Sequence, residues 1–256
     1  MKLTTIILVK ETNNRLEKLI SKLRWSNEII LIKDSANEEK REGVGDSKVK
    51  IFKRKLNNNF AAQRNFALKK AKNNWVLFVD QDETISPSLA KEIVRRISKT
   101  NCTAFYLPRK EFFLEKPLRC ADKSAYDWSL GPNKLVRLGQ KDKGKWVGKV
   151  HEEWQFSGKV GILKNSLEHH SFRNVREALK KINHYSSIQA QEWVEKGREI
   201  DCWGIIFFPI GKLFKNLFWH QGWQDGTTGL IYCLLMSLQS FLSKAKLWQL
   251  RSVGHI

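Results

Sequence analysis

The residues most able to do chemistry stand together at Asp80-Gln81-Asp82-Glu83, directly after the unbroken apolar run Trp75-Val76-Leu77-Phe78-Val79. Five apolar residues rich in β-branched and aromatic types read as a strand buried on both faces, and such strands are parallel and central. In open α/β sheets, ligands bind at the carboxyl ends of the strands, so these acids sit at the mouth of a crevice. On an extended backbone Asp80 and Asp82 point the same way. Two carboxylates converging on one point call for a cation between them, and Mg²⁺ or Mn²⁺ completes its oxygen shell with substrate phosphates. The same residues also read as a helix start, with Ser86 as N-cap and Pro87 in the first turn, and both readings can hold together.

The elements that must position these acids alternate along the first hundred residues. Thr4 to Val9 reads as a strand. Asn14 to Leu23 reads as an amphipathic helix with Leu16, Leu19, Ile20 and Leu23 on one face, and Glu28 to Ile32 as a second strand closed by Asp34. The segment Ser35 to Ser47 is polar, Lys48 to Phe52 is a short strand, and Asn59 to Ala71 is helical. A helix over Pro87 to Ile97 and a strand over Ala104 to Leu107 lead into a less regular region through Asp127, Leu135 to Leu138 and Trp146 to Glu152. Strands ending in Asp34 and Asp80 within a repeated βα pattern predict an α/β fold with a mostly parallel, nucleotide-binding sheet. Further on, an apolar strand-like stretch from Val160 to Leu167 precedes His169-His170, and a helix follows from Val175 through Tyr185.

At 256 residues the chain accommodates one α/β domain and an appendage. Cys102, Cys120, Cys202 and Cys233 show no C-x-x-C spacing, which favours reduced thiols over a disulfide or zinc framework. The stretch Leu3 to Val9 is too short for a secretory apolar segment and runs at once into Lys10-Glu11. A formal charge of +20, from 46 Lys and Arg against 26 Asp and Glu, sets up a field that attracts polyanions. Nucleic acid, anionic lipid and phosphorylated substrates all fit that field. The bases are scattered apart from Lys50, Lys53, Arg54 and Lys55, and no zinc-finger, RNP or helix-turn-helix pattern accompanies them.

Three segments in order, Asn59-Phe60-Ala61-Ala62-Gln63-Arg64-Asn65-Phe66-Ala67-Leu68, Asn74 to Glu83, and Trp146-Val147-Gly148-Lys149-Val150-His151-Glu152, carry a resemblance. The chain resembles the family 2 glycosyltransferases of the GT-A fold, and within them the bacterial lipopolysaccharide-core β-glucosyltransferases of the WaaE/KdtX type. The likeness extends from the first strand to Lys246-Leu247-Trp248.

That resemblance implies roles. Asp34 corresponds to the aspartate that contacts the nucleoside of a nucleotide sugar, although Ser35-Ala36-Asn37-Glu38-Glu39 lacks the glycine usual after it. Asp80-Gln81-Asp82 falls on the D-x-D position, with Asp82 holding the metal and Asp80 touching the ribose or the metal shell. Arg64 and Asn65 fall on an Arg-Asn pair near the nucleotide, and His169 on a histidine that completes the metal shell. Lys181 and Tyr185, one turn apart, match a Lys-x-x-x-Tyr feature near the diphosphate or acceptor; helix-face packing accounts for them as well. Arg109, Arg137 and Trp146 lie in the implied acceptor region, where an arginine grips a phosphorylated sugar bidentately. Glu152 takes the position of the general base of an inverting transfer, with His151 orienting it or the acceptor. The implied donor is a UDP-hexose, UDP-glucose foremost. The implied acceptor is a lipid-linked glycan or lipopolysaccharide core, and no nucleic-acid partner is expected.

The stretch from Cys202 to Ile256 differs in kind, with long apolar runs, five Lys and Arg, and Asp225 as its one acid. Its apolar segments fall short of the roughly 20 residues that cross a bilayer. Helices lying in the interface suit them, with Trp and Phe at headgroup depth and Lys212, Lys215, Lys244 and Lys246 facing anionic lipid. A dimer contact or packing on the catalytic domain is the alternative. The expected organisation is a GT-A domain over 1–170, divided near residue 100 into donor and acceptor halves, a helix over 171–200, and a membrane-associating helical extension over 201–256. The expected place is the cytoplasmic face of the inner membrane. Three rival readings are an RNA-binding module, for which acids at a sheet edge are unhelpful, a non-catalytic scaffold, and a nucleotidyltransferase, which needs a glycine-rich loop after the first strand where Lys10-Glu11-Thr12-Asn13 has none.

Overall fold

The structure is a computed structural model, and it describes residues 1–9, 12–35, 42–43, 47–57, 59–124, 136–148 and 152–252. In chain order the elements begin with β1 (Leu3–Val9), α1 (Asn14–Lys22), β2 (Glu28–Lys33), β3 (Glu42–Gly43), β4 (Val49–Lys53), α2 (Phe60–Lys70), β5 (Trp75–Asp80) and β6 (Glu83–Thr84). They continue with α3 (Pro87–Ser98), β7 (Ala104–Tyr106), β8 (Arg109–Phe113), β9 (Lys116–Pro117), α4 (Arg119–Ser124), β10 (Val136–Gln140), β11 (Gly144–Val147) and β12 (Glu153–Phe156). The last are β13 (Val160–Ile162), β14 (Leu167–Phe172), α5 (Val175–Glu195), α6 (Cys202–Phe214) and α7 (Gly226–Ser252).

Two compact units emerge: Met1–Arg109 with Ser129–His169, and Lys110–Trp128 with His170–Ile256. The first is built on an eight-stranded sheet of order β13-β7-β10-β5-β1-β2-β4-β3. Strands β5, β1, β2 and β4 are parallel neighbours, while β10 enters antiparallel between β5 and β7 and β3 runs antiparallel at the edge. The sheet is therefore mixed, and its parallel heart is the part the βα alternation predicts.

Alternation along the central strands explains why they read as continuous apolar runs. Ile7, Leu31, Leu77 and Val79 face one side, where Leu16, Leu19 and Leu23 of the α1 region and Leu89, Ile93 and Ile97 of α3 cover them. Ile6, Ile30, Val76 and Phe78 face the other side, against Ala61, Ala67 and Leu68 of α2 and the indoles of Trp146 and Trp154. With both faces covered, water meets the sheet only at its edges and strand ends, and the parallel ends become the accessible polar rim. Side chains start the helices as the sequence suggests: Ser86 Oγ accepts from Leu89 N at 3.2 Å, with Pro87 opening α3.

In the second unit, Phe113, Leu118, Cys120 and Ala121 pack with Ala178, Ile182, Cys233 and Leu235. Residues 113–121, which the sequence assigns to an acceptor half of the catalytic domain, thus share a core with the C-terminal helices. Helix α5 runs ten residues past Tyr185, to Glu195. Lys246 of α7 ties the two long helices together by donating to Asn183 O and Oδ1 at 2.7 Å and to the hydroxyls of Ser186 and Ser187 at 2.8 Å.

Within the apolar stretch Val160 to Leu167 only Val160–Ile162 forms a strand, β13, which pairs in parallel with β7, while Leu167 opens β14, which pairs in antiparallel with β6. His169 and His170 therefore stand within β14 rather than after it.

Candidate active site

The parallel registers bring the two chemically marked strand ends onto one rim. Leu8 of β1 lies beside Asp80 of β5, and Val9 beside Lys33 of β2, one residue before Asp34. With one strand between them, at about 4.8 Å per strand spacing, Asp34 and Asp80 mark a rim roughly 10 Å across. Asp34 is exposed, and its Oδ1 accepts from Leu56 N at 2.9 Å, which holds the turn after β4 against β2.

Asp80 continues the alternation of Val76 and Phe78 and so points to the face covered by α2. There it meets two guanidinium groups. Arg137 of β10 donates from Nη2 to Oδ2 at 2.6 Å and from Nη1 to Oδ1 at 3.5 Å, and Arg64 of α2 donates from Nη2 to Oδ1 at 3.1 Å. Burial pushes the Asp80 carboxyl upward, but the charges of Arg137 and then Arg64 outweigh it and hold the group far below the usual carboxylate range. Arg64 also reaches a second acid, donating from Nε to Glu152 Oε1 at 3.0 Å. One buried guanidinium thus couples two carboxylates 72 positions apart in the chain.

Aromatic residues hold Arg64 in place. Trp146 and Trp154 face each other across the β11–β12 pair with rings stacked at 5.3 Å, and Phe78 meets both edge-on at 5.1 and 5.0 Å. The Arg64 guanidinium lies 4.6 Å above the Trp146 ring and 5.3 Å from that of Phe78. Asn65 fixes this platform from α2, donating from Nδ2 to Trp146 O at 2.8 Å and accepting from Trp146 N at 3.0 Å.

The turn Gln81-Asp82 ends β5, and it breaks the period-two argument that put Asp80 and Asp82 on one point. Asp82 instead approaches His169 of β14, with Oδ2 3.6 Å from Nε2. The pairing of His169 with Glu83 across β14 and β6 brings that imidazole to the turn. Among the described residues no group of three or more His, Cys, Asp or Glu is arranged to hold a metal. The expected trio of Asp80, Asp82 and His169 therefore divides: Asp80 belongs to the arginines, and Asp82 with His169 forms a two-donor pair. One carboxylate and one imidazole suit a divalent cation that fills its remaining positions with diphosphate oxygens and water.

Other expectations shift as well. Trp146, placed at an acceptor surface by sequence, is 4% exposed and sandwiched, so it supports Arg64 and has no face for a sugar. Arg137, expected in the acceptor region, stands on β10 within the sheet and pairs with Asp80 and Glu83. Asn65 spends its amide on the Trp146 backbone. Arg109 opens β8 at the end of the first unit. Lys181 and Tyr185 lie in the second unit, where Lys181 donates to Ser171 O at 2.8 Å and pairs with Glu177 at 3.2 Å, and Tyr185 is exposed. His151 lies outside the described residues.

Glu83 is the site residue that sequence reasoning left without a role. It is fully buried, Oε2 accepts from Asp80 N at 2.8 Å, and Oε1 lies 3.7 Å from Arg137 Nη2 with no hydrogen bond. Burial raises its carboxyl above the usual range; Arg137 opposes and Asp80 reinforces the rise. Its position next to a D-x-D turn was a signal only in retrospect, because an acid in a turn reads as solvated.

The fold and the rim define a class first: an α/β protein in which the carboxyl ends of parallel strands meet an arginine-bound acid cluster. Residues 4–145 match the sequence profile of Glycosyl transferase family 2, and the chain belongs to that family. It is a glycosyltransferase of the GT-A type, carrying additional C-terminal helices. Similar proteins include an uncharacterized glycosyltransferase of Rickettsia conorii, 22% identical over 264 residues and covering 96% of this chain and 89% of the relative. Another is the lipopolysaccharide core biosynthesis glycosyltransferase LpsC of Rhizobium meliloti, 25% identical over 198 residues, 74% of this chain and 69% of that one. Among solved structures, residues 1–349 of S. aureus TarS align over 100% of this chain and 92% of that one at 11% identity, with a TM-score of 0.45.

Proposed function

We propose that this glycosyltransferase transfers a hexose, glucose from UDP-glucose foremost, onto a lipid-linked or lipopolysaccharide-core acceptor with inversion at the anomeric carbon. The observation that carries the reading is the double engagement of Arg64, which joins Asp80 at the end of β5 to Glu152 beyond β11. LpsC, a similar protein, acts in lipopolysaccharide core biosynthesis by its name, which supports the choice of acceptor class.

Glu152, whose side chain is 17% exposed beside Arg64, takes the proton from the acceptor hydroxyl as its oxygen attacks the anomeric carbon. The new glycosidic bond forms on one face while the bond to the diphosphate oxygen breaks on the other, and the electron pair leaves with the diphosphate. Asp34, on the same rim, receives the nucleoside. Mg²⁺ or Mn²⁺ held by Asp82 and His169 would neutralise the charge that develops on the departing diphosphate. Arg64 and Arg137 keep Asp80 ionised and fixed at the rim, so the donor meets a preorganised wall instead of a mobile acid.

The place of action is the cytoplasmic face of the inner membrane, reached peripherally. Supporting this is an exposed aromatic series from α6 onward, with Trp203 stacked on Phe207 at 5.7 Å and Phe214 on Phe218 at 5.8 Å. No helix among the described residues is long and apolar enough to cross a membrane. Aromatic rings at headgroup depth with lysines beside them suit a helix lying in the interface.

The test is a screen of nucleotide sugars with Mn²⁺, followed by two variants. Asp82→Ala abolishes turnover together with metal-dependent UDP binding, whereas Glu152→Gln abolishes turnover and keeps UDP binding. Parent-level turnover in either variant would overturn the role assigned to that residue.

A further inference from the structure

Within the second unit, α5, α6, the π-helical turn Lys215–Trp219 and α7 line a pocket of about 620 Å³ that opens to solvent along Phe207 and Phe208, the size of a small-molecule site. Its walls are of two kinds. Trp193, Phe207, Phe208 and Tyr232 supply aromatic surface, and Lys212, Lys215 and Lys244 supply three ammonium groups, with no Asp or Glu in the lining.

The side-chain ammonium groups of Lys212 and Lys215 make no ion pair or hydrogen bond among the described residues. Lys244 donates to Ser240 Oγ at 3.1 Å and lies 4.9 Å from the Phe208 ring and 5.3 Å from that of Trp193. Burial lowers the Lys212 ammonium below its usual range, and burial together with the Lys212 charge does the same to Lys244. Like charges withdrawn from water beside aromatic rings, without a counter-anion, are unfavourable, and a bound anion relieves both the desolvation and the repulsion. The π-helical turn at the wall is a costly local geometry that recurs at functional sites.

Aromatic walls narrow the anion. Inorganic phosphate satisfies the lysines and leaves the rings unused, while a bare hydrocarbon leaves the lysines unpaired. We infer that the cavity binds the phosphate group of an amphiphile, with Lys212, Lys215 and Lys244 around the phosphate oxygens and Phe207, Phe208 and Trp193 against the first carbons of its hydrocarbon chain. The inference rests on the second unit alone; it does not need the transferase reading of the sheet rim, and it shares only Phe207 with the exposed aromatic series.

The experiment is calorimetric titration of the full chain with dihexanoyl phosphatidic acid below its micelle concentration. Inorganic phosphate and dihexanoyl phosphatidylcholine serve as parallel probes. The phosphatidic acid binds the parent, and the paired change Lys212→Gln with Lys244→Gln weakens it at least about tenfold, the loss of charge-assisted contacts. Gly211 lines the cavity and a Cβ there meets nothing within 4 Å. Gly211→Leu therefore fills the space without touching the charge or straining the backbone, and it weakens binding to a similar degree. Lys180→Gln, on the exposed face of α5, leaves binding unchanged. Equal affinity for inorganic phosphate makes this a simple anion site, and equal affinity for the choline lipid makes it an apolar one; either overturns the inference. So does parent-level binding by Gly211→Leu, or an equal loss in Lys180→Gln, which would assign the affinity to diffuse charge. Should the double lysine variant misfold by circular dichroism, Gly211→Leu decides the question alone.

Discussion

Arg137→Met tests whether the acid cluster is assembled by charge. Methionine keeps most of the aliphatic volume of a side chain that is 7% exposed and removes the guanidinium. Three things change. Asp80 loses the bonds at 2.6 and 3.5 Å, Glu83 loses its cation at 3.7 Å, and the two carboxyls face each other with Arg64 as the remaining cation on Asp80. Removing one partner of a fully buried ion pair costs about 3–5 kcal/mol. Asp80 is 31% exposed and keeps Arg64, while Glu83 can stay protonated, so the expected cost is about half of that, roughly 2 kcal/mol. For a chain of this size that lowers Tm by roughly 4–8 °C. Urea unfolding at pH 7 with an unchanged slope measures the loss directly. The sign with pH is fixed by Asp80. Its folded pKa is depressed, so the stability it contributes is fully present above its unfolded value of 3.8 and is lost as the pH falls from there toward the folded value. The gap between parent and variant therefore narrows below pH 3.8. A variant within about 0.5 kcal/mol of the parent at pH 7 would refute the account, because Asp80 would then not depend on the guanidinium that touches it most closely. Arg137→Lys, with a point charge in place of a fork, recovers part of the loss.

Glu83→Gln keeps an acceptor for Asp80 N and removes a buried charge that burial disfavours. The folded pKa of Glu83 is raised, so its ionisation penalises the fold progressively as pH rises above the unfolded value of 4.5. The variant is accordingly more stable than the parent at pH 8, the gap closes at pH 4, and chemical denaturation at the two pH values reads the difference. Gly144→Ala drives a Cβ to 2.5 Å from Phe156 Cε1 and 2.7 Å from Trp154 Nε1. That overpacks the platform under Arg64, costs about 1–3 kcal/mol and reduces turnover more than Gly197→Ala does; thermal unfolding alongside a transfer assay measures both effects. Asn65→Leu releases both backbone bonds to Trp146, and it lowers stability by about 2 kcal/mol in the same unfolding assay.

The sequence by itself determined the parallel heart of the sheet, its polar rim and the capping of α3. These depend on local patterns: apolar runs in β1, β2 and β5, a Ser-Pro start, and acids at strand ends, each legible within about ten residues. Family motifs carried the resemblance, because the three segments that hold Arg64, Asp80 and Glu152 occur in the family's order even though nothing local states that these residues touch. Only the tertiary structure decided who holds whom. Arg137 reads as an acceptor-region arginine until β10 is inserted antiparallel between β5 and β7, which places it over Asp80. Trp146 reads as a sugar platform until its pairing with Trp154 buries it under Arg64. Asp82 reads as the twin of Asp80 until a two-residue turn sends it to His169. The cavity lysines, spread over α6, its π-helical end and α7, read as an interfacial charge face until helix packing gathers them. Arg137 on Asp80, Arg64 on Trp146, Asp82 beside His169 and α6 against α7 each join positions tens of residues apart, and no local preference encodes such a contact. It is selected by which packing buries the most apolar surface while leaving the fewest buried charges alone.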